Sequence, residues 1–300
     1  MNFLQRVYWK LYRTLIKPDD VNYLRKQFKL NLGYEPDINN PRSFNEALLW
    51  LKLNWRNDLC YRVVDKYEVR NYIKEKGLVS ILTECYGLYN SIDDVIYESL
   101  PNKFVIKNTG DSGGVKVVRS RSDFDAAKSF FHSLNNGDFS DYAKEWVYSK
   151  LKNRIIVEEL IECPDGHSPK DYKFFCFSGE PKFLFVGTER DVDVKFDFFD
   201  LNWNHLPVHQ GHEWASVVPK KPGEFDEMIE ISKILSRDFP MVRVDLYNEN
   251  GRVYFGELTF FHFGGIVPFV PRSFDFEFGK FFSLDSVPDS ERVDFTSLKY

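Results

Sequence analysis

Two carboxylates, a guanidinium and a hydroxyl stand at alternating positions in the stretch from Met241 to Gly265, MVRVDLYNENGRVYFGELTFFHFGG. Val242, Val244 and Leu246 alternate with Arg243, Asp245 and Tyr247, the two-residue period of a strand with one apolar face. Asn248-Glu-Asn-Gly251 supplies a turn. A second strand then sets Val253, Phe255, Glu257 and Thr259 against Tyr254, Gly256, Leu258 and Phe260. Pairing Tyr247 with Val253 across a loop of about five residues predicts Arg243, Asp245, Glu257 and Thr259 on one face. Carboxylates so placed on a rigid hairpin can hold Mg²⁺ through oxygen ligands, with phosphate and water completing its shell. Arg243 beside them suits a phosphate or a developing oxyanion. A solvated charge pair on a half-exposed hairpin has the same sequence pattern, so the other motifs must decide.

Four further stretches carry polar chemistry. KFVIKNTGDSGGVKVVRS reads as strand, glycine-rich turn, strand, and successive N–H groups of Gly110, Asp111, Ser112, Gly113 and Gly114 can wrap phosphate oxygens while Lys107 adds a point charge. It is not a P-loop, because no helix follows and GxxxxGK[ST] is absent. CYRVVDKYEVRNYIKEKG reads as one helix ending at Gly77, with Lys66 and Arg70 at i, i+4 beside Asp65. Ile155 to Ile161 is a buried strand whose end turns acidic. In DYKFFCFSGEPKFLFVG, Asp171 and Lys173 share a strand face with Phe175 and Phe177, and buried charges there need partners, either nucleotide hydroxyls and phosphates or an internal salt bridge. His205, His209 and His212 do not read as a metal site, because Pro207 breaks the helix their spacing would require.

These segments need elements to hold them. The chain has 300 residues, 43% hydrophobic and 17% aromatic, enough for a substantial core with sheet-rich character. A formal charge of -5 argues against a general nucleic-acid binder. No apolar run approaches the ~20 residues that span a bilayer. Cys60, Cys85, Cys163 and Cys176 form no CxxC pair, which fits a reducing cytosol. Residues 1–17 read as a basic amphipathic helix with Arg6, Lys10, Arg13 and Lys17, suited to packing on the domain or to peripheral contact with an anionic membrane. Residues 18–100 read as mostly helical, with a capping box at Ser43 and Glu46. The pattern turns to strands near Pro101. Ser122 is the expected N-cap of the helix through Leu134, GEFDEMIEISKILS is an amphipathic helix, and residues 286–300 read as a tail.

Taken in order, DKYEVRNYI, FVIKNTGDSGG, DYKFFCFSG and VRVDLYNENGRVYFGELTF resemble the TupA-like group of the ATP-grasp superfamily, over about residues 40 to 285. The resemblance implies an α+β ATP-grasp fold over 101–285, two α+β subdomains clamping a nucleotide behind a helical N-terminal region. It implies ATP and Mg²⁺, with Lys66, Lys107 and the Gly110 to Gly114 loop at the phosphates. Backbone of Glu158, Glu159, Leu160 and Ile161 would meet adenine, Asp171 would lie near ribose and Lys173 near phosphate. Asp245, Glu257 and Thr259 would bind the metal, and Arg243 would steady the acyl phosphate. His262, Gly264 and Gly265 would stand on the acceptor side, where His-Phe-Gly-Gly replaces a common Pro-Gly pattern. The implied activity is carboxylate–amine ligation at the cytoplasmic side of a membrane, joining a carboxylate-bearing saccharide of a capsular or teichuronic-type polymer to an amino acid or amino sugar. A glycosyltransferase of capsule or lipopolysaccharide synthesis, using DVDVKFD as a metal-binding DxD, is the alternative.

Overall fold

The computed structural model describes residues 9, 12, 14–16, 18–110, 113–134, 143–164 and 166–294. The chain divides into two compact units, residues 1–56 with 261–300, and residues 57–260. The helix-to-strand change at Pro101 therefore falls inside the second unit.

The first unit is helical. Helix α1 (Asp20–Leu32) starts where the Asp19 carboxylate accepts the Asn22 N–H at 2.8 Å and stops at Gly33. Helix α2 (Phe44–Asn54) opens with the expected Ser43/Glu46 capping box, and all of its residues are buried. The end of α2 is tied to the region read as a tail: Val293 N–H donates to the Asn54 carbonyl at 2.8 Å and the Trp55 indole N–H to Glu291 at 2.7 Å. Trp9 is buried edge-on against Tyr23 of α1, whereas Arg6, Lys10, Arg13 and Lys17 lie outside the described residues. Among the described residues no helix is long and apolar enough to cross a membrane.

The second unit contains two antiparallel sheets. One has the order β1-β4-β2-β3, built from β1 (Cys85–Tyr89), β2 (Phe104–Asn108), β3 (Val115–Val118) and β4 (Ile155–Glu159). Strand β1 falls within residues 18–100, read as mostly helical; its short CYGLY run lacks the clean alternation that marks a strand. The predicted helix Cys60–Gly77 is likewise two, α3 (Asp58–Val63) and α4 (Val69–Glu75). Asp65 breaks it by accepting the N–H groups of Tyr67 and Glu68 at 2.8 and 3.0 Å, the local competition with helix typical of Asp. Helix α5 (Arg121–Ser133) is capped by Ser120 rather than Ser122 and lays Phe124, Ala127 and Phe131 on a core with Phe104, Ile106 and Val157.

The other sheet has the order β7-β6-β5-β8-β9: β5 (Asp171–Phe177), β6 (Glu180–Thr188), β7 (Lys195–Asp200), β8 (Met241–Glu249) and β9 (Arg252–Thr259). Helix α6 (Phe225–Ser236) covers one face, where Phe174 packs against Phe225 and the Cys176 thiol reaches the Ser232 carbonyl. The two-residue period sends Asp171, Lys173, Arg243 and Asp245 to the opposite face.

Candidate active site

Hairpin geometry decides which side chains meet. Glu249 pairs with Arg252, so the loop is only Asn250-Gly251, with φ of 53° and 72°. Two positive φ values make the tight turn for which Asn-Gly is the preferred sequence, and this replaces the five-residue loop expected above. From that turn Tyr247 pairs with Tyr254, one residue away from the expected register, and an unbroken ladder would set Asp245 against Gly256 and turn Glu257 to the helix-covered face. A bulge prevents this. Leu246 pairs with Phe255 but Asp245 with Glu257, leaving Gly256 as the extra residue. The expected grouping of Val253 and Phe255 with Glu257 and Thr259 therefore breaks at Gly256, while Arg243, Asp245, Glu257 and Thr259 do share a face. A Cβ on Gly256 would lie 3.0 Å from the Asp245 carbonyl and 3.2 Å from the Tyr247 ring, so a larger residue would crowd the bulge.

A chain of charges runs across this face. Arg243 grips Asp245 with two hydrogen bonds of 2.7 Å, and its guanidinium also reaches Thr259 Oγ1 at 3.0 Å and Glu257 Oε1 at 3.4 Å. Lys173, opposite Asp245 in the ladder, bonds both to it and to Asp171, the latter at 2.6 Å. Burial pushes the Asp245 carboxyl up, but Arg243 and Lys173 outweigh it and hold the group below the usual carboxylate range. Asp171 Oδ1 is buried and has no hydrogen-bond partner. Glu257 is the open member, its side chain 40% exposed against 1% for Asp245.

No group of three or more His, Cys, Asp or Glu side chains converges among the described residues. Two charged carboxylates and the Thr259 hydroxyl still fit a small hard cation whose remaining ligands are substrate oxygens and water. A cation at Asp245 must compete with Lys173. The DVDVKFD run offers no comparable pair: Asp191 bonds to Ser168, Asp193 to Lys195 and Asp197 to His205.

A small cleft lies beside the hairpin, lined by Lys66, Arg70, Lys107 and Glu158 together with Phe255 and Gly256. Lys66 reaches it because its N–H donates to the carbonyl of Thr109, two residues beyond Lys107, at 3.1 Å. Arg252 fastens the hairpin tip to the cleft wall through the carbonyls of Ser80 and Leu82 at 3.0 and 2.9 Å. Glu158 is bound by Lys107 at 2.7 Å and Arg70 at 3.0 Å. Burial raises its carboxyl, and the two cations, Lys107 foremost, bring it below the ordinary value. Lys66, Arg70 and Lys107 give the lining of the cleft more basic than acidic side chains, with Glu158 the one carboxylate among them.

Residues 46–283 match the TupA-like ATPgrasp family. The chain belongs to this family. No curated protein matches it. Among solved structures it is similar to D-alanine–D-alanine ligase from Bacillus anthracis, at 15% identity and a TM-score of 0.41, over 66% of this chain and 57% of that one. It is also similar to the L-amino acid ligase from Bacillus licheniformis, at 16% identity, TM-score 0.40 and 66% and 43% coverage. For D-alanine–D-alanine ligase from Helicobacter pylori the figures are 20%, 0.38, 72% and 61%. The chain thus spans less than two thirds of the length of each. Helices with two antiparallel sheets agree with the α+β ATP-grasp fold that membership brings.

The remaining residues named from the family resemblance fall in several places. Glu159, Leu160 and Ile161 follow Glu158 half-buried, and Glu159 is laced to Glu84 by backbone and side-chain bonds of 2.9 and 3.0 Å. Gly110 packs close to Asn153, and the Gly114 carbonyl accepts the Asn108 N–H at 2.8 Å, with Gly113 exposed before it. Asp111 and Ser112 lie outside the described residues. His262, Gly264 and Gly265 belong to the first unit, in a short turn on α2: His262 is buried edge-on to Phe44, Lys52 bonds to the Gly264 carbonyl at 2.9 Å, and Gly265 fits against Leu48. Sequence reading assigned no role to Arg70, Thr83 or Gly256. Gly256 had a signal, since a lone glycine inside a strand pattern marks a bulge; Arg70 and Thr83 had none beyond proximity to Lys66 and the cleft strand.

Proposed function

We propose that the chain is an ATP-dependent ligase joining a carboxylate to an amine. One observation carries the reading: a single hairpin serves both halves of the site. Its bulged Gly256 lines the cationic cleft, and the next residue, Glu257, stands opposite Asp245 and beside Arg243. In this reading Lys66 and Lys107 bind the nucleotide phosphates with the Gly110 to Gly114 loop, and the backbone of Glu158 to Ile161 meets adenine. The unpartnered Asp171 Oδ1 accepts a ribose hydroxyl, and Lys173, freed from Asp245, turns toward phosphate. Asp245, Glu257 and Thr259 hold Mg²⁺, which when bound neutralises phosphate charge.

A substrate carboxylate oxygen attacks the γ-phosphorus and the bond to ADP breaks, giving an acyl phosphate. An amine then adds to its carbonyl, loses a proton and expels phosphate, leaving an amide. Arg243, rigidly held by Asp245, steadies the anionic tetrahedral state. Positioning and charge neutralisation supply the acceleration, and no side chain acts as nucleophile. His262, Gly264 and Gly265 are assigned to the acceptor side. A uronic acid of a surface polysaccharide and an amino acid or amino sugar are the proposed substrates, used at the inner membrane face with residues 1–17 as a peripheral contact.

The test is nucleotide release by the full chain with Mg²⁺-ATP, uronic acids and amines. ADP formation that requires both acceptors supports the ligase. UDP release from a UDP-sugar, with no ADP from ATP, replaces it by a glycosyltransferase.

A further inference from the structure

Arg70 has no place in the proposed nucleotide machinery, yet it is firmly anchored in the cleft. One of its guanidinium nitrogens bonds to Glu158 at 3.0 Å and the other to the Thr83 carbonyl at 2.6 Å, and its side chain is 12% exposed. Glu158 is 6% exposed and simultaneously holds Lys107, which is twice as open as Arg70 at 24%. The buried carboxylate therefore occupies the lysine that faces incoming phosphate. Were Lys107 its sole partner, transferring that lysine to a ligand would strand a buried negative charge next to a polyanion, and such stranding is costly.

We propose that Lys107, Glu158 and Arg70 form a counter-ion relay, in which Glu158 holds Lys107 while the cleft is empty and Arg70 is the remaining counter-ion of Glu158 once a polyphosphate takes Lys107. Arg70 is then a positioning residue. It acts on the ligand through Glu158, and Glu158 is an internal competitor of the anion. The inference rests on reading the cleft as a polyphosphate site, and it makes a specific demand: losing Arg70 harms binding only while Glu158 is charged.

The experiment is calorimetric titration of the full chain with inorganic tripolyphosphate, using wild type, Arg70→Gln, Arg70→Lys, Glu158→Gln and the double variant Arg70→Gln/Glu158→Gln, each checked for cooperative thermal unfolding. Arg70→Gln should weaken binding about tenfold. Arg70→Lys should restore most of it. Glu158→Gln should bind more tightly than wild type, and the double variant should recover at least wild-type affinity, a suppression that mere structural damage cannot produce. If Arg70→Gln does not fold, the direction of the Glu158→Gln change decides. Weaker or unchanged binding by Glu158→Gln, a double variant no better than Arg70→Gln, or no tripolyphosphate binding by wild type overturns the relay. Relay behaviour with tripolyphosphate but no ATP turnover upholds it and sinks the ligase instead.

Discussion

Asp245 in one sheet of the second unit and Glu158 in the other are each buried between two cations, and the two arrangements are assembled in opposite ways. Asp245 takes Arg243 from two residues earlier on its own strand and Lys173 from directly across the ladder, and neither cation is more than 12% exposed. Glu158 takes Lys107 from the neighbouring strand and Arg70 from a helix 88 residues away in sequence, and both cations line an open cleft. The first is a rigid scaffold made by local periodicity. The second is drawn from separate elements around a cleft. Breaking a buried pair leaves a charge uncompensated, and in the relay proposed above only the second set would exchange partners with a ligand.

That difference can be broken most forcefully at Asp245. Asp245→Asn removes the carboxylate that Arg243 and Lys173 share on a buried face, leaving Lys173 to Asp171 and Arg243 to Glu257 and Thr259, and should cost about 3 kcal/mol of stability in a denaturant titration, with ADP formation abolished. Glu257→Gln, at the exposed end of the same network, should lower ADP formation by about 100-fold with less than ~1 kcal/mol lost. Equal destabilisation by the two would erase the distinction between scaffold and open member. Lys107→Ala leaves Glu158 with Arg70 and should weaken ATP binding about tenfold while the thermal midpoint hardly moves. Unchanged affinity would remove the cleft from the nucleotide reading. The smallest effect is expected at the turn, where Gly251→Ala at a φ of 72° should cost about 1 kcal/mol without changing ADP formation.

Acid titration sharpens the same comparison. Asp245 and Glu158 both have folded-state pKa values below the ordinary one. Each contributes stability that is fully present above an unfolded value of about 4 and is lost as pH falls through the lower folded value. Asp275 in the first unit runs the other way. Burial raises its carboxyl, with only neutral donors such as the Asn45 N–H at 3.0 Å and Tyr34 to oppose it, so its charging penalises the folded state as pH rises through the unfolded value. Thermal midpoints should therefore drop steeply below about pH 4, and Asp245→Asn should flatten that limb.

Much of the fold was legible because it rests on short-range rules. The Ser43 capping box, the alternation of β5 and β8 and the amphipathic α6 are all set within a few residues, and each was read correctly. Errors came where one residue overrode a pattern. Asp65 split a helix that periodicity ran through, Asn250-Gly251 made a tighter turn than the loop assumed, and the bulge at Gly256 restored a face that the tighter turn would have reversed.

By itself, then, the amino-acid order determined that Arg243 and Asp245 share a strand face and that a further carboxylate, Glu257, follows on the next strand, because side chains alternate wherever the backbone is extended. Only tertiary structure decided that Glu257 stands opposite Asp245, that Lys173 neutralises the latter, and that Arg70, Lys107 and Glu158 meet around one cleft. Strand pairing and the bond from Arg70 of α4 to Glu158 of β4 bring those groups together across tens of residues, and the charges they bury are tolerable only as a set.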